Sequence, residues 1–461
     1  MLALAGFLTI AVILVLLLTR RIAAVVALAG VPILAALLAG FTPTEVSEAV
    51  TTGLTGVAGV TTMFVFAIVY FGVMRDAGLF DPIIRRIVSL AGDTPATVCV
   101  ATTALACVAH LDGAGATTFL ITIPAMMPLF DRLGMSRVTL TACVGMGAGV
   151  MNLLPWGGPT ARAATTTGTD ANELWVPLIP AQVAGVVAAL LIAFLLGRKE
   201  SRRLSRAPET VAAAAGGAGG SAAGSAPGSD AGDASQGPGA GPVTLSAEEA
   251  ALRRPRLFWF NAALTVVLIG LLVAAVATPE VVFVLGAIVA LLVNYPGISQ
   301  QTARIQAHAE GAMLMASTLL AAGVFLGILD ATGMVTAMAE SAASVVPDAA
   351  GPALPLIVGV LGVPLSLLFG PDAYYFAVLP VLMGVGAEFG VADVDIARAS
   401  LVGQETVGFP ISPLTGSFYL LTGLAGVDIG RHIRHLIGYV WLLSLVMLAV
   451  AALTGAVRLW A

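Results

Sequence analysis

The sequence predicts an all-α polytopic membrane protein, and three observations carry that prediction. Of 461 residues, 58% are hydrophobic and only 10% are charged. The mean hydropathy is +0.99. Apolar segments of roughly 17 to 22 residues recur along the chain, each long enough to cross a hydrocarbon core about 30 Å thick. A soluble domain of this size needs far more surface charge. Membrane strands would read as alternating segments of about ten residues, and none recur.

The segments follow in order. The first, 3–19, has its charges after the apolar run rather than before it, and a second run, 22–40, starts at once, so it reads as a retained helix and not a cleaved signal. The third is 57–74, ending at Arg75, and 78–92 reads as an amphipathic segment on the cytoplasmic surface. Lys and Arg in short loops mark the cytoplasmic side, and they cluster at 20–21, 75–86, 132–137, 198–206, 253–256, 304 and 431–434. The loops around Glu45, Asp170 and 330–348 lack them. Arginines flank both ends of 95–130, so that block is expected to be a re-entrant hairpin with "DGAG" at its tip. Residues 138–172 then form a helix broken at "NLLPWGGPT", and 176–197 returns.

Residues 199–255 are dominated by Gly, Ala, Ser and Pro and read as a flexible cytoplasmic linker between a first repeat, 1–198, and a second, 256–461. The second repeat is expected to hold a hairpin at 353–389 and a broken helix at 395–425, for about ten spanning helices and two hairpins in all. "YFGVMRDAGL" lies over "FLGILDATGM", with Gly72 over Gly327 (327 − 72 = 255). Pro155 lies over Pro410 and Thr160 over Thr415 at the same offset, and Phe119 over Phe376 at 257. The flanking charges turn the halves over with respect to each other. Such inverted repeats place substrate and ion sites near the midplane, where broken helices and hairpin tips meet. Non-helical backbone at that depth is tolerable only when it lines a cavity or is buried in protein.

Four loci should therefore converge: 110–118, 152–162, 366–375 and 404–417. An ionisable group inside a span is expensive, so Asp112, Arg162, Asp372 and Glu405 stand out as functional candidates. The planar fork of Arg162 suits a carboxylate. Asp112, Asp372 and Glu405, with Gln404, suit a hard cation or coupling protons. Asn152, Thr117, Thr118, Thr160, Ser412 and Thr415 offer neutral polar groups, and Gly113, Gly157 and Gly158 offer backbone N–H groups, for substrate binding. Hydroxyls in helices commonly bond their own i−4 carbonyl instead. His110 reads either as a proton relay or as a packed, satisfied histidine. Cys99, Cys107 and Cys143 give neither a disulfide framework nor metal-ligand spacing. Nothing suggests nucleic-acid binding.

"YFGVMRDAGLFDP", "LDGAGATTFLIT", "GVMNLLPWGGPTARAA" and "VGFPISPLTGSFYL" resemble the CitMHS family of citrate–metal:proton symporters, within the ion transporter superfamily. The resemblance covers nearly the whole chain except the linker. It implies proton-driven import of citrate complexed with a metal ion, an elevator-type motion and a homodimer in the cell membrane. The metal would be magnesium, calcium, manganese or ferric iron, travelling as part of the substrate, with no resident cofactor. Related dicarboxylate carriers place Ser-Asn-Thr motifs at the hairpin tips, where this chain has "DGAGATT" and "GPDAYY". From the charges, both termini lie outside. The alternative is a proton- or sodium-coupled carrier of free di- or tricarboxylates or of another organic anion. No enzyme motif occurs.

Overall fold

The computed structural model describes residues 2–19, 21–215, 247–348 and 350–460, and among them every regular element is helical. The chain opens with α1 (Leu2–Leu18), α2 (Ala24–Leu38), the long α3 (Pro43–Asp76) and the short α4 (Asp81–Leu90). A hairpin follows, α5 (Pro95–Ala109) and α6 (Gly115–Arg132). Next come α7 (Arg137–Met151), α8 (Gly158–Thr167), α9 (Ala171–Trp175) and α10 (Ile179–Ala215). After α11 (Ala247–Leu252) the series recurs as α12 (Phe258–Val273), α13 (Pro279–Asn294), α14 (Ile298–Ala331) and α15 (Met334–Ala343). A second hairpin pairs α16 (Leu354–Leu365) with a π-helical turn, Ala373–Val378, running into α17 (Leu379–Glu388). The chain ends with α18 (Asp393–Leu401), α19 (Gly416–Ala425) and α20 (Ile429–Leu453). The lengths recur as well: 34 residues in α3 and α14, 10 in α4 and α15.

Among the described residues six helical stretches are long and apolar enough to cross a membrane, α3 and α14 among them. These two pack antiparallel at very close range. A Cβ on Gly53 would lie 2.0 Å from the Gly323 carbonyl oxygen, and one on Gly327 would lie 2.4 Å from that of Ala49. At the other end a Cβ on Gly72 would lie 2.5 Å from the His308 ring. Only glycine allows backbones this near. Asp76 at the end of α3 closes the contact, accepting from Arg304 at 3.0 Å and pairing with His308 Nε2 at 2.8 Å.

Two boundaries differ from the sequence expectation. Helix α3 starts at Pro43, not near 57, and takes in the stretch with Glu45 and Glu48 that had read as a loop. Thr42 and Glu45 form a capping box with Pro43 in the first turn, which holds a polar, Thr-rich segment in helix. The linker boundary at 199 also moves. Helix α10 runs on to Ala215, and Glu200, only 7% exposed, accepts from Thr139 at 2.9 Å while Arg203 reaches the Gly134 carbonyl. At the other end Arg253 caps α3 by donating to the carbonyls of Arg75 and Asp76, at 2.9 and 3.0 Å. Alanine, counted as linker composition, is equally the strongest helix former. The remainder of the linker expectation, 216–246, lies outside the described residues.

Candidate functional site

The four loci meet, and the backbone breaks explain how. Helix α5 ends in a tight turn at His110–Asp112, with Gly113 left-handed at φ +74°. Any larger residue at Gly113 would also press on Trp156, since its Cβ would lie 2.9 Å from that carbonyl. Trp156 in turn donates from Nε1 to the Leu111 carbonyl at 2.8 Å and stacks on Phe71. Hairpin 1 is thereby seated on the break between α7 and α8. Its tip also reaches the other half, where a Cβ on Gly115 would meet Phe409 at 3.0 Å and Ser417 at 3.2 Å. Phe409 lies between the His110 and Phe119 rings.

A chain of hydrogen bonds crosses from one hairpin to the other. His110, fully buried, has Nδ1 2.8 Å from Thr118 Oγ1 and Nε2 3.2 Å from Asn152 Oδ1. Asn152 Nδ2 donates to the Glu405 carbonyl at 2.8 Å. The Glu405 N–H donates to Ser366 Oγ at 2.9 Å, and Ser366 bonds Gln404 Oε1 at 3.1 Å. Gln404 Nε2 reaches the Phe369 carbonyl, and the Tyr375 hydroxyl donates to the Gln404 carbonyl at 2.8 Å. The two breaks and both hairpins are thus joined through Asn152 and Glu405.

Glu405 is the most unusual residue in this network. It is 1% exposed and has φ +53°, a left-handed backbone that a non-glycine residue adopts at a cost. Neither of its carboxyl oxygens makes a well-formed hydrogen bond among the described residues, the Ser412 hydroxyl being the donor beside them. A second charged group sits where α8 faces the tip of hairpin 2. Arg162, 9% exposed, donates from Nε to Asp372 Oδ1 at 2.7 Å and from Nη1 to the Gly158 carbonyl at 3.0 Å. Nearby, Thr166 donates to the Tyr375 carbonyl at 2.8 Å. A third is at the tip of hairpin 1, where Asp112 accepts from the Ala114 N–H at 2.9 Å and lies 3.5 Å from Arg75. Arg75 also donates to Thr117 at 3.0 Å.

Other candidates have local duties. The Thr160 hydroxyl donates to the Leu153 carbonyl across the break at 3.0 Å. Thr415 bonds the Ser412 carbonyl at 3.1 Å, and Ser412 Oγ accepts from the Leu414 N–H at 3.4 Å. The Gly157 N–H is engaged with the Leu154 carbonyl at 2.7 Å. Gly158 begins α8 and gives its carbonyl to Arg162. Sequence reasoning missed Arg75 as a site residue, along with Ser366 and Tyr375. Arg75 lies inside the repeated "YFGVMRDAGL", which was the available signal, but its charge read as a topology marker alone.

Two cavities flank these groups. One of about 430 Å³ is lined by Leu17, Arg21, Gly370, Asp372 and Leu414, among others. The other, about 710 Å³, lies between the α3–α14 pair, the end of α8 and α17, with Glu45, Glu48, Asp330 and Asp393 on its walls.

Helical throughout the described residues, with broken helices and hairpins that enclose buried charges, the protein has the architecture of a membrane carrier. Its structure is similar to that of the YdaH transporter of Alcanivorax borkumensis, with a TM-score of 0.58 over 91% of each chain at 16% identity, a likeness of fold alone. The chain belongs to the CitMHS citrate transporter family, which it matches over residues 10–403. It is 41% identical to a citrate transporter of Bacillus subtilis (strain 168) over 99% of this chain and 100% of that one. It is 39% identical to the Mg(2+)/citrate complex secondary transporter of the same organism, over 100% of both chains. The family and these relatives are transporters, not enzymes.

Proposed function

We propose that this protein imports citrate as a complex with a metal ion, coupled to protons. The observation that carries the reading is the Arg162–Asp372 pair, a buried cation and a partly exposed anion where the tip of hairpin 2 meets α8. The guanidinium matches a citrate carboxylate and the aspartate matches the metal. The full-length likeness to a Mg(2+)/citrate carrier supports the same reading. Glu405 and Asp112 are the candidates for the coupling proton. Glu405 is the stronger of the two, since its buried carboxyl lacks the N–H donor that Asp112 has in Ala114, and so suits a group that travels neutral.

The same reading makes the two halves an inverted repeat. Antiparallel packing of the equivalent helices α3 and α14 supports it, and so does the reciprocity of their contacts. Gly72 meets His308, and the positions 255 away, Gly327 and Gly53, meet each other (72 + 255 = 327; 308 − 255 = 53). A two-fold axis produces such exchanged pairs. Hairpins moving against the α3–α14 scaffold, a homodimer, a cell-membrane location and external termini complete the proposal.

Radiolabelled citrate uptake into proteoliposomes under an imposed pH gradient tests it, with magnesium, calcium, manganese or ferric iron added in turn and a chelator control. Uptake should require metal and collapse with the gradient. Equal uptake in chelator would establish the alternative, a free-carboxylate carrier. Arg162→Ala should abolish uptake while still inserting; unchanged uptake would remove Arg162 from the site.

A further inference from the structure

We infer that the Arg162–Asp372 pair is what distinguishes a metal–citrate complex from either component alone, an inference that rests on the import reading above. The pair is lopsided. Arg162 is shielded, with a side chain 11% exposed, and its Nη1 is committed to the Gly158 carbonyl. Asp372 is the open member at 26% exposure and lines the 430 Å³ cavity, so a ligand in that cavity meets the anion first.

Each component alone meets a penalty. A bare cation that captures Asp372 takes the partner of Arg162 and leaves a guanidinium unpaired inside the protein, the outcome that makes half-broken buried pairs unfavourable. Free citrate that reaches Arg162 must place its own negative charge beside Asp372, and like charges in such contact repel strongly. The complex avoids both. Its metal takes an oxygen of Asp372 while a citrate carboxylate takes the fork of Arg162, so each charge exchanges one partner for another in a single event. Arg21, on the wall of the same cavity, adds attraction for any net negative charge left on the complex.

The exchange also has a mechanical side. Asp372 directly precedes the π-helical turn 373–378, and its bond to Arg162 ties hairpin 2 to α8. Opening that bond leaves Thr166–Tyr375 as a remaining tie between them. Recognition of the complex therefore replaces that direct tie with one bridged by the ligand, and release of the ligand restores it.

The test uses the purified full chain in proteoliposomes and reads two constants: KM for the magnesium–citrate complex, and the inhibition constant of free citrate at fixed complex concentration. In wild type, free citrate should inhibit weakly. In Asp372→Asn the unpaired Arg162 prefers the free anion, so the ratio of the inhibition constant to KM should fall about tenfold or more. Asp372→Glu should keep a ratio near that of wild type. If Asp372→Asn is monodisperse but inactive, titration calorimetry with citrate in chelator and with magnesium–citrate gives the same ratio. A ratio unchanged from wild type overturns the inference, as does a folded variant that binds neither form. Wild-type uptake that is equal in chelator would instead defeat the import reading itself.

Discussion

Replacing Asn152 by leucine should loosen the junction between the two halves. The amide spans them, accepting on one side from the His110 ring and donating on the other to the Glu405 carbonyl. Leucine matches its size and offers neither function. The His110 Nε2 and the Glu405 oxygen would both be left inside residues that are 0% and 1% exposed. Leaving a buried polar group unmet costs about 1–3 kcal/mol, so the pair sums to about 2–6 kcal/mol. Hydrogen bonds between membrane helices average only about 0.6 kcal/mol, because the disrupted state finds other partners. The two bounds together put the loss for this pair of bonds at about 1–6 kcal/mol. Alanine at the same position opens room for a water that can bridge the two groups, so Asn152→Ala should cost less than Asn152→Leu. Reversible denaturation in mixed micelles measures both, and hydrogen exchange at 402–411 reports local opening. A leucine variant as stable as wild type, or one more stable than the alanine variant, would refute the bridging role.

Two further predictions follow from packing and charge. Gly53→Leu should abolish folded protein, since its side chain must enter the Gly323 carbonyl, whereas Gly56→Ala on the same helix meets nothing within 4 Å and should be neutral or stabilising by about 0.5–1 kcal/mol; size-exclusion profiles and melting curves distinguish the two. Arg75→Ala should destabilise the fold by about 1–3 kcal/mol, because it removes the bond to Thr117 and the cation beside Asp112, whose side chain is only 7% exposed. Citrate uptake per folded molecule should also fall severalfold and be partly restored in Arg75→Lys; a loss of stability with that uptake intact would make Arg75 structural.

Much of this arrangement was legible from local chemistry. Gly113, Pro155 and Gly157–Gly158 cannot sit comfortably in an uninterrupted apolar helix, and each marks a turn or break. The polar residues around those interruptions did converge, as the expense of burying them requires. What lay hidden was partnership at a distance. Nothing near Arg162 announces Asp372, 210 residues away, and nothing near Asn152 announces the backbone of Glu405, 253 away. Arg75 was obscured by doubling as an ordinary end-of-helix charge. The start of α3 was obscured because Thr and Ser depress hydropathy, while the capping box that fixes it occupies only four residues.

The glycine contacts of α3 and α14 survive the exchange of halves, but the charged groups do not. At the offset of 255, Arg162 falls on Ser417 and Glu405 on Val150 (162 + 255 = 417; 405 − 255 = 150). On the inverted-repeat reading proposed above, the framework is duplicated while the Arg162 and Glu405 charges are single-copy. A duplicated pocket would hold two ligands, or one in either of two orientations. With the charges on one side only, each chain should hold a single complex in a single orientation, a stoichiometry of one that calorimetry on the purified protein can count.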